Sequence, residues 1–296
     1  MNTGSSLERD DQRWGNPSPG GPFPDNKQDI RSIVRAGFYY HNARRIELPL
    51  AEYEKTRRYS MAQLNALLRR AGRIRQSVGA LMTGPAGSHP GKCRITLLNR
   101  DVLTAAEEYE TGKQYRPLVI TSDFQQLLDR STLAVPLGSI RSHVSDNPAL
   151  SLPQKIEPAC IIYFPHVAIL RDRLFCLRSF PYMISVAAFV PEKFDGAPGD
   201  AIRALLLSAA GECCDTLFFD LSSETSELLF AEDPSAAVRS FYQILVEEHY
   251  ADMFRQIVFA LPGRDEGSVR MMEAFTEIFG DALRMDVTHS TAELCL

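Results

Sequence analysis

Two neutral amides occupy a turn where an α/β protein ordinarily keeps its reactive groups. Residues 116–133 read RPLVITSDFQQLLDRSTL. The apolar run at 118–120 predicts a short buried strand, and Thr121-Ser122-Asp123 then caps a helix beginning near Phe124. A strand running into a helix N-terminus through a small polar turn is a usual place to hold a phosphate or a reacting group. Here the turn has no glycine. Gln125 and Gln126 face the site from the first helical turn; they can hydrogen-bond but neither give nor take a proton near neutral pH. The turn has the geometry of an active site without its chemistry.

Other reactive residue types are scattered. His89, His143 and His166 have no companions at metal-ligand spacing, so no metal site is expected, and no cofactor. Cys93, Cys160, Cys176, Cys213, Cys214 and Cys295 show no CxxC spacing and are read as buried, reduced thiols of a cytoplasmic protein. Cys213-Cys214 has no histidine near it in sequence, so burial at a helix end is its expected role. A net charge of -5 and a pI near 5.7 argue against a nucleic-acid partner, a local basic patch aside. No apolar run is long enough for a membrane helix and no secretory signal is visible, so neither membrane insertion nor signal-directed export is expected.

The elements that would position these residues are legible along the chain. Residues 1–28 are rich in Gly, Pro, Ser, Asn and Asp and are expected to be disordered. Residues 29–91 predict an extension: a short helix, a strand pair turning at His41-Asn42-Ala43, then one helix capped by Ser60 with Leu64, Leu67, Leu68 and Ile74 on its apolar face. The arginines at 69–75 read as a solvated face rather than a nucleic-acid site. The Gly/Pro loop at 83–91 is a candidate boundary. Strands and helices alternate over 92–285, with a strand bent at Pro165 and a last helix capped by Ser268; 286–296 form a tail. Such alternation predicts an α/β fold with a mostly parallel or mixed sheet covered by helices on both faces.

The ordered blocks CRITLLNRDVLTAA, LVITSD, LLDRSTL, IIYFPHVAILRD, ISVAAFVP, FAEDPSAAVRSFYQIL and IVFALPG resemble the microbial-type poly(ADP-ribose) glycohydrolases, and IVRAGFYYHNARRIEL resembles the region ahead of that family's domain. The resemblance spans roughly residues 30–280 and implies a macrodomain-like three-layer sandwich with a mixed sheet, plus an N-terminal helical and hairpin extension. Family members carry a strand end close to LNFASA, a Pro-Gly-Gly-Gly loop, then Gln-Glu-Glu opening a helix. The glycines let the backbone approach a diphosphate, and a glutamate protonates the leaving ribosyl oxygen. In this chain ITSD runs directly into FQQ, and the matching RSTL aligns Gln125 and Gln126 with the two glutamates. The second phosphate loop of the family reads like GAWGCGxFGNDP; here SETSELLFAEDP keeps Phe230, Asp233 and Pro234 and none of the glycines.

By the same resemblance Asp101 matches an aspartate near the adenine end of the ligand; read from the chain alone, it is equally a helix N-cap. Phe230 matches an aromatic residue on the distal ribose, and a packing role needs no ligand. Gln125 and Gln126 either bind a ribose hydroxyl or serve as a solvated and a tertiary contact. The ligand-binding candidates are therefore Asp101, Ser122, Asp123 and Phe230, with no catalytic residue retained. The resulting expectation is a degenerate macrodomain-like protein that binds a protein partner, or weakly an ADP-ribose-type ligand. The alternatives are a hydrolase whose acid has moved to Asp123 or Glu224, and an interaction protein with a filled cleft.

Overall fold

The computed structural model describes residues 36, 38–47, 57–82, 93–108, 116–122, 159–171, 177–190, 193–221, 234–263 and 266–285. The chain forms two compact units, one of residues 1–53, 126–151 and 166–183, the other of residues 54–125, 152–165 and 184–296.

In the first unit, β1 (Phe38–His41) and β2 (Arg44–Glu47) pair as an antiparallel hairpin. Asn42 and Ala43 join them with φ of 50° and 61°, the left-handed pair whose twist matches that of the flanking strands. Tyr39 lies opposite Ile46, and both are buried. The Tyr39 hydroxyl donates to the Arg178 carbonyl at 2.7 Å, and burial pushes its phenol up to about 12. The strand pair expected around 41–43 is thus present, with its turn where the sequence puts it.

The eight-stranded sheet runs β10-β4-β9-β8-β5-β7-β6-β3. Its strands are β3 (Arg57–Ser60), β4 (Arg94–Leu98), β5 (Pro117–Thr121), β6 (Ala159–Arg171), β7 (Leu177–Phe189), β8 (Thr216–Asp220), β9 (Gln256–Ala260) and β10 (Leu283–Met285). The six strands from β10 to β7 are parallel, and β3 lies antiparallel on β6. The sheet is therefore mixed. β8 and β9 are buried at every position, and the consecutive apolar residues at their centres, Leu217-Phe218-Phe219 and Ile257-Val258-Phe259, suit strands covered on both faces.

The helices of the second unit are α1 (Met61–Arg69), α2 (Ala71–Met82), α3 (Val102–Glu108), α4 (Pro198–Gly211), α5 (Pro234–Tyr242) and α6 (Glu266–Phe279). One face of the sheet, through Leu97, Ile120, Phe219 and Phe259, shares a core with Leu64 of α1, Leu205 of α4, Phe241 of α5 and Phe275 of α6. On the opposite face Val119, Phe218 and Val258 are buried, and α3 packs against β5, β8 and β9 with Val102, Ala105 and Ala106 inward. The result is the three-layer α/β sandwich with a mixed sheet that the sequence predicts. β3 and α1, from the stretch ahead of residue 92, belong to this sheet and core.

Three local expectations are corrected. The helix after Ser60 is two helices: Arg70 leaves helical geometry with ψ of 3°, its N–H bonding the Leu67 carbonyl at 2.9 Å, and α2 starts afresh at Ala71. Gln63 still completes the cap by accepting the Ser60 N–H at 2.8 Å. The single strand expected through Pro165 is present as β6, and Pro165 lies beyond the end of the β3 register at Tyr163, where a missing N–H breaks no pairing to β3. Ser268 does not cap the last helix, which begins at Glu266; its hydroxyl points back to the Pro262 carbonyl at 3.5 Å.

The third correction concerns a thiol. Cys214 is buried, but Cys213 is exposed because it closes α4 in a left-handed conformation, with φ of 57°. Its N–H bonds the Ala210 carbonyl and the Cys214 N–H bonds the Ala209 carbonyl, both at 3.0 Å, a pattern that usually has glycine in that place.

Candidate functional site

The carboxyl ends of parallel strands are where open α/β sheets take their ligands. Strand register sets the floor of that edge. Leu98 of β4 pairs with Ala260 of β9, Ala260 with Asp220 of β8, and Thr121 of β5 with Ala188 of β7. Side chains alternate along a strand, so these residues share the face on which α3 packs. The ladder continues one step further, with the Leu261 N–H on the Leu98 carbonyl at 2.9 Å and the Leu221 N–H on the Ala260 carbonyl at 2.8 Å.

Asp220 is the residue that sequence reasoning missed. It is the last residue of a strand that is otherwise Thr-Leu-Phe-Phe, and it is only 1% exposed. The Thr121 hydroxyl, itself fully buried, donates to Asp220 Oδ2 at 3.2 Å. A carboxylate this deep is stable only if hydrogen-bonded, and Thr121 supplies a bond across the two strands. A signal exists in the chain: an acidic residue ending a strand of unbroken apolar character. Thr121, assigned by sequence to a helix cap, ends β5 and uses its hydroxyl on Asp220 instead.

Asp101 precedes α3, and its Oδ1 accepts the N–H groups of Leu103 at 2.8 Å and Thr104 at 3.1 Å. This is an N-cap, and it orients the carboxylate toward the helix start. Ser122 is buried immediately after β5, beside Thr121. Of the other sequence candidates, Asp123, Gln125, Gln126, Glu224 and Phe230 lie outside the described residues, as do residues 1–28 and 83–91. The structure thus brings Thr121, Ser122 and Asp220 to one edge of the sheet, with Asp101 at the start of the helix packed on the same face.

Clusters elsewhere in the second unit have structural explanations. The Glu212 carboxylate accepts from the Tyr59 hydroxyl and from Arg57 Nη1, the latter at 3.1 Å, joining β3 to the end of α4. Tyr163 donates to Ser185 Oγ at 3.0 Å and lies 3.9 Å from the Cys214 sulfur. Burial pushes the Cys214 and Cys93 thiols up to about 12, so both are held as thiols near neutral pH. Among the described residues no group of His, Cys, Asp and Glu is arranged to hold a metal ion, and no helix is long and apolar enough to cross a membrane.

No family model and no curated protein matches the chain. Solved structures do match. The poly(ADP-ribose) glycohydrolase of Thermomonospora curvata aligns with a TM-score of 0.59 at 17% identity, over 86% of this chain and 98% of that one. The same enzyme bound to the inhibitor ADP-HPD gives 0.58 at 17% identity, over 85% and 97%. The poly(ADP-ribose) glycohydrolase of Deinococcus radiodurans, in complex with ADP-ribose, gives 0.53 at 18% identity, over 77% and 95%. At this identity the likeness is one of fold: the chain has a macrodomain-like fold of the poly(ADP-ribose) glycohydrolase kind.

Proposed function

We propose that this protein is a catalytically degenerate relative of the poly(ADP-ribose) glycohydrolases, acting by binding or interaction rather than hydrolysis. The observation that carries the reading is the pair Gln125 and Gln126, placed by the RSTL match where the resembled family has its two glutamates. An amide cannot protonate a leaving ribosyl oxygen, and loss of a general acid typically costs about 10²–10⁴-fold in rate. The edge of the sheet supports the same reading. The carboxyl ends of β5 and β8 are joined by the buried Thr121–Asp220 contact, and Asp101 is engaged in capping α3. The four described cysteines are free thiols, which fits a cytoplasmic protein.

The second phosphate loop adds to the argument. The second turn carries Ser226, Glu227, Leu228 and Leu229; Ser226 and Leu228 stand where the resembled family has glycines that admit a diphosphate, and Glu227 would repel one. Several charge-assisted hydrogen bonds, each worth about 1.5–3 kcal/mol, are thereby lost. The expected dissociation constant for ADP-ribose is about a millimolar or weaker. Two measurements test the reading: calorimetric titration with ADP-ribose, and release of ADP-ribose from its polymer. Background turnover and millimolar binding are expected. Turnover abolished by Asp123→Asn or Glu224→Gln would replace the reading with a hydrolase that has moved its acid. Micromolar ADP-ribose binding without turnover would make ligand binding, rather than a protein partner, its main role.

A further inference from the structure

Helix α6 buries one face and carries a second apolar stripe outside the core. Ser268, Met271, Ala274, Phe275 and Phe279 are its buried residues. One position on, Val269 is 41% exposed and Met272 is half-buried. With Thr276 they floor an open groove of about 460 Å³, and Glu273 and Glu277 complete its described lining. The Thr276 hydroxyl donates to the Met272 carbonyl at 2.8 Å, which leaves the two carboxylates as the free polar groups of the groove. Both are exposed, and neither has a cationic partner among the described residues. Arg270, the cation nearest them in sequence, pairs with Glu266 instead.

The complementary charges lie where α1 meets α2. Arg69 ends α1, Arg70 follows at the break, and Arg73 lies in the first turn of α2. All three are exposed, and none has a carboxylate partner among the described residues. Arg75 differs: its Nη1 donates to the Glu248 carbonyl, and its guanidinium lies 4.7 Å from the centre of the Tyr250 ring. An arginine lays its methylene stem along apolar surface while its planar head takes a carboxylate. The α6 groove offers both. One chain cannot join the two sites: α6 packs at β10 and α1 at β3, the opposite edges of the eight-stranded sheet. Seven strand spacings, about 30 Å, separate those edges.

Charge decides between occupants. Glu273 and Glu277 would repel a nucleic acid or an anionic lipid surface. The tail at 286–296 carries Asp286 and Glu293 and no lysine or arginine, so it would meet like charge there. A two-fold contact between α6 helices would bring four carboxylates together. We infer that the α6 groove takes Arg69, Arg70 and Arg73 of a second copy of this chain. The contact is head-to-tail, separate from the carboxyl edge of the sheet and independent of the function proposed for it. The arginine stems cover Val269 and Met272, and the guanidiniums pair with Glu273 and Glu277. A pair formed in this way keeps one groove and one arginine face free, so further copies add.

Sedimentation equilibrium of the full-length chain at about 50 mM salt is the test. The mean mass should climb past the dimer as concentration rises through roughly 10–500 µM, the weak range expected of a small contact. It should fall back towards the monomer at about 0.5 M salt. Val269→Asp, which puts a charge on the apolar floor, should weaken association about tenfold. Glu273→Arg with Glu277→Arg should be monomeric alone, and so should Arg69→Glu with Arg70→Glu and Arg73→Glu. Mixed in equal amounts, these two variants should associate again, because the intact arginines of one meet the intact groove of the other. Recovery on mixing separates a lost contact from a lost fold. A wild-type chain that stays monomeric throughout would overturn the inference, as would a mixture that does. Association that survives either charge reversal would overturn it too. Competition by a synthetic 286–296 peptide would assign the groove to the chain's own tail and exclude the second copy.

Discussion

The two faces of the eight-stranded sheet are held by different physics. On the face covered by α4, α5 and α6, aromatic rings meet in a continuous cluster. Phe259 lies 4.6 Å from Phe275, 5.0 Å from Phe241 and 5.4 Å from Phe219, measured between ring centres. On the face covered by α3, the same strands bury Thr96, Thr121 and Asp220 among apolar neighbours. The first face gains from area and tolerates small adjustments; on the second the Thr121–Asp220 bond, if broken, leaves a buried polar atom.

The largest expected effect lies on the aromatic face. Phe259→Ala removes a fully buried ring with several aromatic neighbours and should destabilise the protein by about 3–5 kcal/mol. Denaturant unfolding measures it. A loss of under about 1 kcal/mol would mean that the cluster repacks around the gap, and the contrast between the faces would fail.

The polar face should answer differently to removing one group or two. Asp220→Ala leaves the Thr121 hydroxyl buried without its acceptor and should cost about 1–3 kcal/mol. Replacing both, as Thr121→Val with Asp220→Leu, removes the desolvation of both groups and should recover much of that loss. Double-mutant analysis of the unfolding free energies gives the coupling. If the two losses simply add, the Thr121–Asp220 bond does not hold β5 to β8.

How much of this is legible in the sequence follows the same division. The apolar runs LFF in β8 and IVFA in β9 are continuous because both faces of those strands are covered, and that continuity by itself marks them as buried parallel strands. Asn42-Ala43 likewise marks the hairpin by its position between two short β-forming runs. The break at Arg70 is poorly marked, because the apolar spacing runs on from α1 into α2 and Gly72, two residues on, lies inside α2 rather than at the break. The acid ending β8 is visible in the sequence, but its bond is hidden for another reason: its partner lies ninety-nine residues away, and a cross-strand bond at that separation leaves no local pattern. Asp101 is legible as a cap because its bonds run to Leu103 and Thr104, two and three residues on. The resemblance supplies what periodicity cannot, namely which turn to regard as the site.

The smallest expected effect is at the rim of the aromatic side, where Arg203 of α4 meets Glu248. Arg203 Nε donates to Glu248 Oε2 at 2.8 Å and Nη2 to Oε1 at 2.5 Å, while Nη1 holds Asp200 at 2.9 Å. The Arg203 hydrogen bonds hold the Glu248 carboxyl below its ordinary value of 4.5. A carboxyl whose folded-state value is depressed contributes stability above its unfolded value, and that contribution disappears as pH falls through the folded-state value. Both side chains are about a quarter exposed, so solvent screening limits the pair to about 1 kcal/mol. Glu248→Gln should therefore lower the melting temperature near pH 7, and the gap from wild type should close as the medium is acidified below about pH 4.5. The Phe259→Ala gap should persist over that range, since no proton is taken up where rings pack. A Glu248→Gln gap that stayed constant into acid would show that the side chain acts there through packing alone, and the rim would then belong with the aromatic face.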